Sequence, residues 1–61
     1  MPLYLVWVER DDSLEAPVPF LSPRPVGVGD VITIHREPCR IDRIEMAPDE
    51  RYDAVIYGHR E

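Results

Sequence analysis

The candidate set of metal ligands, which also contains the only thiol, is His35, Cys39, Asp53 and His59. Zinc sites are usually marked by ligands in paired short spacings such as Cys-x2-Cys. Here His35 and Cys39 are four positions apart, and the other two residues are isolated. Histidines at strand ends and one buried cysteine are common in ordinary small domains, so we expect neither a metal site nor any other cofactor.

Catalysis by a cysteine nucleophile or by paired carboxylates would require a pocket and shifted pKa values. The lone Cys39 is a residue type that small domains usually bury in the core. Acidic pairs occur at Asp11/Asp12 and Asp49/Glu50, where turns and nearby arginines make solvated charge the default. A domain filled by its own side chains has little room for a substrate. We therefore predict a protein that is not an enzyme.

The length and composition describe one small acidic domain. A chain of 61 residues folds as a single unit at most and buries only about 60% of its unfolded surface. Its net charge of −5 disfavours sequence-independent binding to nucleic acid. With one cysteine it has no intrachain disulfide, and the apolar run after Met1 and Pro2 is too short for a membrane span. We expect a cytoplasmic protein without membrane contact.

Nucleic-acid binding nevertheless remains an alternative, because arginines and tyrosines are close together near the C-terminus. Arg36, Arg40 and Arg43 precede Tyr52 and Tyr57, and arginine beside aromatic rings on a sheet is an arrangement that stacks unpaired bases. Three acids are interleaved with these arginines, so segment 36–45 carries no net charge. A solvated face with cross-strand ion pairs fits the same pattern.

Residues 3–9 form the clearest predicted strand, because the segment is β-branched and aromatic without a breaker. Both of its faces are apolar, one with Leu3, Leu5 and Trp7 and the other with Tyr4, Val6 and Val8. Strands with this pattern are usually covered on both sides. The cover would come from a closed barrel or from a second subunit. Segments 31–35 and 52–58 predict further strands, and a polar turn is expected at 10–13.

Within the segment 39–46 the apolar residues change from odd-numbered to even-numbered positions. Cys39 and Ile41 alternate as in a strand, whereas Ile44 and Met46 have the opposite parity. A bulge or bend near Asp42 would explain the shift, and so would one helical turn. We favour a long bent strand because the segment has no room for a stable helix. A short turn is predicted before it, at residues 36–38.

Four of the seven prolines fall between residues 15 and 25. Proline removes a backbone donor and fixes φ, which excludes a helix or a central strand. Residues 14–25 are therefore predicted to form a rigid proline-rich loop, with Val18, Phe20 and Leu21 packing back on the core. Residues 59–61 are predicted to form a short tail.

The expected fold is a single all-β domain over residues 1–61, with no helix longer than a turn. It is either a small SH3-like barrel or a strongly curled antiparallel sheet of about five short strands, with the proline-rich loop. The run of strands and turns over 26–58, which starts at Gly29-Asp30, resembles the hairpin run of SH3-like barrels. This resemblance implies a small barrel architecture.

The composition and the two-faced first strand predict a binding or assembly module that acts by protein contact. Either a homodimer or a larger protein partner would cover the surplus apolar surface. Four aromatic and three arginine side chains are the predicted contact residues: Tyr4, Trp7, Phe20, Tyr57, Arg36, Arg40 and Arg43. The aromatic residues could instead fill the core. The alternatives are an accessory nucleic-acid-binding β-barrel and an acidic inhibitor that occupies a basic groove of its partner.

Overall fold

The structure is a computed structural model that describes residues 1–10, 13–14 and 16–61. It is all-β over these residues, and none of them is helical, so no described segment could cross a bilayer as a helix. The strands are β1 (Leu3–Arg10), β2 (Ser13–Leu14), β3 (Val18–Leu21), β4 (Val31–Ile34), β5 (Glu37–Glu45) and β6 (Ala54–Arg60). The polar turn predicted at 10–13 includes residues 11 and 12, which lie outside the described part.

The strands form one sheet in the order β2-β1-β6-β5-β4, and β3 pairs with the same edge of β1 as β2. The sheet is strongly curled into a half-barrel. Strands β4, β5 and β6 are consecutive antiparallel neighbours, but β1 and β6 pair in parallel. The prediction of a wholly antiparallel sheet is therefore wrong at its centre. A parallel pair needs a long connection, and the intervening strands provide it.

The core occupies the concave face of the half-barrel. Its buried side chains come from four strands: Tyr4, Val6, Val8, Ile32, Ile34, Cys39, Ile41 and Ile56. Val18, Phe20 and Val26 pack against this cluster from the segment that follows β2. Of the two apolar faces predicted for β1, the face with Tyr4 is thus the core face.

Strand β5 contains the predicted bend. Ile41 pairs with Gly58 and Arg43 pairs with Tyr57, so Asp42 is an extra residue between two adjacent pairs of the ladder. This β-bulge returns Ile44 to the core side after Ile41. The prediction of a bent strand is confirmed, and the helical alternative is wrong.

The turn between β4 and β5 contains His35 and Arg36, whose φ angles are 52° and 67°. Positive φ at both central residues is typical of a type I′ hairpin turn. The prediction of a turn at 36–38 is therefore wrong for Glu37 and Pro38, which lie within β5 opposite Ile34 and Thr33. Pro38 fits there because its carbonyl accepts a hydrogen bond from the N–H of Glu61 and no donor is required of it.

Two segments that were predicted to have no regular structure contain residues of strands. β3 lies inside the predicted loop 14–25, because an edge strand accommodates Pro19. Val18 and Phe20 pack towards the core as expected, but Leu21 is 56% exposed. The predicted tail 59–61 is also shorter, since β6 continues through Arg60.

Candidate interaction surface

The convex face of the sheet carries a second group of apolar side chains. Leu3, Leu5 and Trp7 alternate with the core residues of β1 and therefore point away from the core. The parallel register sets Leu5 beside Val55 and Trp7 beside Tyr57 of β6. We call these five residues the outer patch.

Val55 shows that the outer patch is packed. It is only 5% exposed, yet it does not belong to the core cluster. Its neighbours across the sheet are Leu5 and Glu45, which share its convex face. The main contacts between described strands all join neighbours in this one sheet, so no described strand forms a second layer over the patch. The patch is an apolar surface left at the outside of the half-barrel.

An arginine borders the patch at Tyr57. The guanidinium carbon of Arg43 lies 4.3 Å from the centre of the Tyr57 ring, and its Nε is 3.6 Å from a carboxylate oxygen of Glu45. A cation over an aromatic face contributes about 0.5–1 kcal/mol at an exposed site. The contact fixes the ring and covers one of its faces.

Ion pairs line β5 and the end of β6. Two of them are Arg40–Glu61 and Arg60–Glu37, and Nδ1 of His59 forms a hydrogen bond with Oδ2 of Asp42 at 2.7 Å. The Arg40–Glu61 hydrogen bond lowers the pKa of the Glu61 carboxyl and raises that of the Arg40 guanidinium. Exposed pairs of this kind add little stability. Their effect is to neutralise Arg40 locally, and Glu45 does the same for Arg43.

The structure brings together three of the seven predicted contact residues. Trp7, Tyr57 and Arg43 lie at successive positions across β1, β6 and β5. Arg40 follows on the same convex side of β5, beyond the bulge. Arg36 lies apart from them, exposed in the β4–β5 turn.

The other two aromatic residues belong to the core side. Tyr4 is 6% exposed, and its hydroxyl oxygen accepts a hydrogen bond from the N–H of Val26 at 3.3 Å. Phe20 is half-buried against the same cluster. Tyr4 is therefore not available at the surface, and Phe20 contributes mainly to packing.

The list of predicted contact residues omitted Leu3, Leu5 and Val55. The alternation of residues 3–9 already placed Leu5 on the same side as Trp7. No local signal could identify Val55, because its position depends on which strand pairs with β1. The parallel register of β1 and β6 is the missing information.

Cys39 and the histidines do not form one site. Cys39 is 1% exposed on the core side, whereas His59 contacts Asp42 and His35 lies in the exposed turn. Within the described ranges, no three His, Cys, Asp or Glu residues are arranged to hold a metal ion. Burial raises the pKa of the Cys39 thiol, as does the charge of Asp42, while Arg60 opposes both.

Thiol-reactive reagents should modify Cys39 only as fast as the protein unfolds, because the thiol is buried and its pKa is raised. The unfolded thiol ionises at about pH 8.5, so the free energy of unfolding should fall as pH rises above that value. Stopped-flow labelling with and without urea tests the protection of the thiol, and urea titration at increasing pH tests the fall in the free energy of unfolding. Equal rates for the native and the urea-unfolded chain would contradict it.

Comparison with known proteins gives no functional assignment. No protein-family model matches the chain, and no curated protein or solved structure is significantly similar to it. The chemistry of its own surface is therefore the basis for a functional proposal.

Proposed function

We propose that this chain is a small non-enzymatic binding module that docks on a partner protein through the outer patch. The observation that supports the proposal is an apolar convex face, with Trp7 and Tyr57 adjacent, over which no described strand packs. Tryptophan and tyrosine are the residue types that most often dominate the energy of protein interfaces. Leu5 and Val55 pack beside them and extend the apolar surface.

The charges around the outer patch favour a basic partner. Glu9 follows Trp7 and Val8 on β1 and is exposed, whereas Arg43 and Glu45 form an ion pair at the patch and cancel each other. Asp53 lies beside Leu3, whose N–H donates to its Oδ2 at 2.7 Å. The net charge of −5 acts in the same direction at long range. The fitting partner surface is an apolar area bordered by arginine or lysine, which includes the case of an acidic inhibitor in a basic groove.

A nucleic-acid partner has weaker support. Arg40 and Arg43 are each paired with a carboxylate, and the guanidinium of Arg43 covers the Tyr57 ring face that a base would stack on. Arg36 is the one arginine of this segment without an ion pair to a described residue. One exposed arginine can neutralise few phosphates, so it contributes little affinity for a polyanion.

Two further parts of the proposal concern architecture and location. The consecutive antiparallel strands β4, β5 and β6 support an SH3-like arrangement over residues 26–58. The single cysteine supports a cytoplasmic location, because extracellular domains of this size usually depend on disulfides.

The experiment compares capture of a partner from lysate of the native host by wild type, by Leu5→Glu and by Met46→Glu. Leu5 lies in the outer patch, whereas Met46 is 92% exposed beyond the end of β5 and is the matched control. A protein retained by wild type and Met46→Glu but lost by Leu5→Glu is identified, purified and titrated. Since Trp7 is the only tryptophan, its emission reports directly on the patch. We expect a blue shift on binding and an affinity that falls with salt.

Circular dichroism and thermal melts first establish that both variants fold. Equal retention of the partner by Leu5→Glu and wild type would overturn the proposal, as would a wild-type chain that retains no protein. If nuclease treatment removes the material that the wild-type chain captures, this result would instead favour the nucleic-acid alternative.

A further inference from the structure

Strand β4 has a free edge. It pairs with β5 on one side, and no described strand lies on the other. The carbonyl of Asp30, just before the strand, accepts a hydrogen bond from β5 at 2.9 Å. Because backbone groups alternate in direction along an antiparallel ladder, Ile32 and Ile34 also face β5. The N–H and C=O groups of Val31 and Thr33 therefore point away from β5, at the outer edge of the sheet.

A groove of about 670 Å³ runs along this edge. One of its walls is β4, and the other is the segment 22–26 that follows β3, which we call the proline wall. The two walls meet at a turn in which the N–H of Asp30 donates to the carbonyl of Gly27 at 3.1 Å. Since β3 and β4 lie at opposite ends of the strand order, the groove is the opening of the half-barrel.

The proline wall cannot close this opening by pairing with β4. Pro23 and Pro25 have no N–H group. The other three N–H groups of the wall are used within the domain: that of Ser22 donates to the carbonyl of Pro2, that of Arg24 to the Ser22 hydroxyl and that of Val26 to the Tyr4 hydroxyl. The wall thus has no donor left for a ladder, and the outward groups of β4 stay available to an added strand.

The floor of the groove is apolar. Phe20 and Val26 pack on the core cluster, and Ile32 belongs to it. Side chains that lie opposite each other on neighbouring strands share one face of the sheet. A residue opposite Ile32 would therefore point towards this floor, while its two neighbours would lie opposite Val31 and Thr33 and form the hydrogen bonds. The groove fits an extended segment with an apolar residue between two hydrogen-bonded ones.

Arg24 gives the groove a positive charge that the described residues do not neutralise. It is exposed on the proline wall and forms no ion pair with a described residue. The carboxylate of the groove, that of Asp30, instead accepts the N–H of Gly27 at 2.8 Å. A carboxylate on the added segment would complement Arg24. The β4 edge of a second copy is bordered by its own proline wall, so a slender peptide segment fits the groove better.

We propose that the groove binds an extended, acidic and apolar peptide segment of another protein, which adds to the free edge of β4 as one more strand. The segment forms hydrogen bonds with Val31 and Thr33, places an apolar side chain over Ile32 and Phe20, and pairs a carboxylate with Arg24. Addition of a strand to a free sheet edge is a recurrent mode of peptide recognition. Strand β5 separates β4 from the outer patch, so this inference concerns a different surface from the proposed function.

A displayed library of random heptapeptides is the probe. Peptides selected on the wild-type chain should share an apolar residue and an acidic residue, and their dissociation constants are measured for three variants. Thr33→Pro removes an outward N–H that the domain does not use, at an edge position where proline is tolerated, and should weaken binding at least about tenfold. Thr33→Val keeps this N–H and should remain within about twofold of wild type. Arg24→Glu should weaken binding about tenfold, because it sets two acids together.

The selection and the variants decide the proposal, with thermal melts to establish that each variant folds. A library that yields no binding peptide would overturn it, as would equal dissociation constants for Thr33→Pro and Thr33→Val. Peptides that lose affinity for Leu5→Glu but not for Thr33→Pro bind the outer patch, which would also overturn it. So would a wild-type dimer in sedimentation equilibrium that Thr33→Pro abolishes, because a second copy would then occupy the edge.

Discussion

The Gly58→Ala variant should lose a large part of the stability of the domain. A Cβ atom at this position would lie 2.6 Å from the carbonyl oxygen of Arg40 and 2.7 Å from Sγ of Cys39. The bulge in β5 is next to Gly58, and the backbone there cannot withdraw without breaking the ladder. Overpacking of this kind costs about 1–3 kcal/mol or more. A core of this size supplies only about 3–5 kcal/mol in total.

Gly27→Ala is the matched control, because the nearest atom to its added Cβ is Oδ2 of Asp30 at an ordinary 3.9 Å. Urea titration of both variants gives the free energy of unfolding. Gly58→Ala should lower the free energy of unfolding by about 1–3 kcal/mol or more, while Gly27→Ala should differ from wild type by at most about 1 kcal/mol. Similar midpoints for the two variants would contradict the close packing of β5 on β6.

The Ile56→Ala variant should lose most of the stability of the domain. Ile56 is fully buried at the centre of β6, between its neighbours Val6 on β1 and Ile44 on β5. Removing a buried isoleucine side chain to alanine typically costs 2–5 kcal/mol, part of which comes from the cavity that remains.

Met46→Ala makes a similar reduction in size at a site that is 92% exposed, and it should change stability by less than about 0.5 kcal/mol. Denaturation followed by Trp7 fluorescence gives both values. If Ile56→Ala cost no more than Met46→Ala, the assignment of the concave face as the core would be wrong.

The sequence predicted the elements whose evidence is local. The uninterrupted apolar run of β1 and the parity change around Asp42 are visible in consecutive residues, and both predictions are confirmed. The prolines of segment 14–25 excluded a central strand correctly. They did not exclude the edge strand β3, where an outer position leaves room for Pro19.

The remaining features depend on contacts between distant parts of the chain. Both faces of β1 are apolar, so only the fold shows that Tyr4 belongs to the core and Trp7 to the convex side. The parallel pairing of β1 with β6 decides that Val55 joins Leu5 and that Tyr57 joins Trp7. No local pattern contains that register, and the outer patch therefore emerged only from the structure.

The most direct test of the outer patch is the dissociation constant of the captured partner for Leu5→Glu and for Met46→Glu, measured side by side by Trp7 fluorescence. If the patch is the docking surface, Leu5→Glu should weaken binding by at least about 30-fold, which corresponds to about 2 kcal/mol. Met46→Glu should remain within about twofold of wild type, although it makes the same charge change at an exposed site. Equal dissociation constants for the two folded variants would contradict the account.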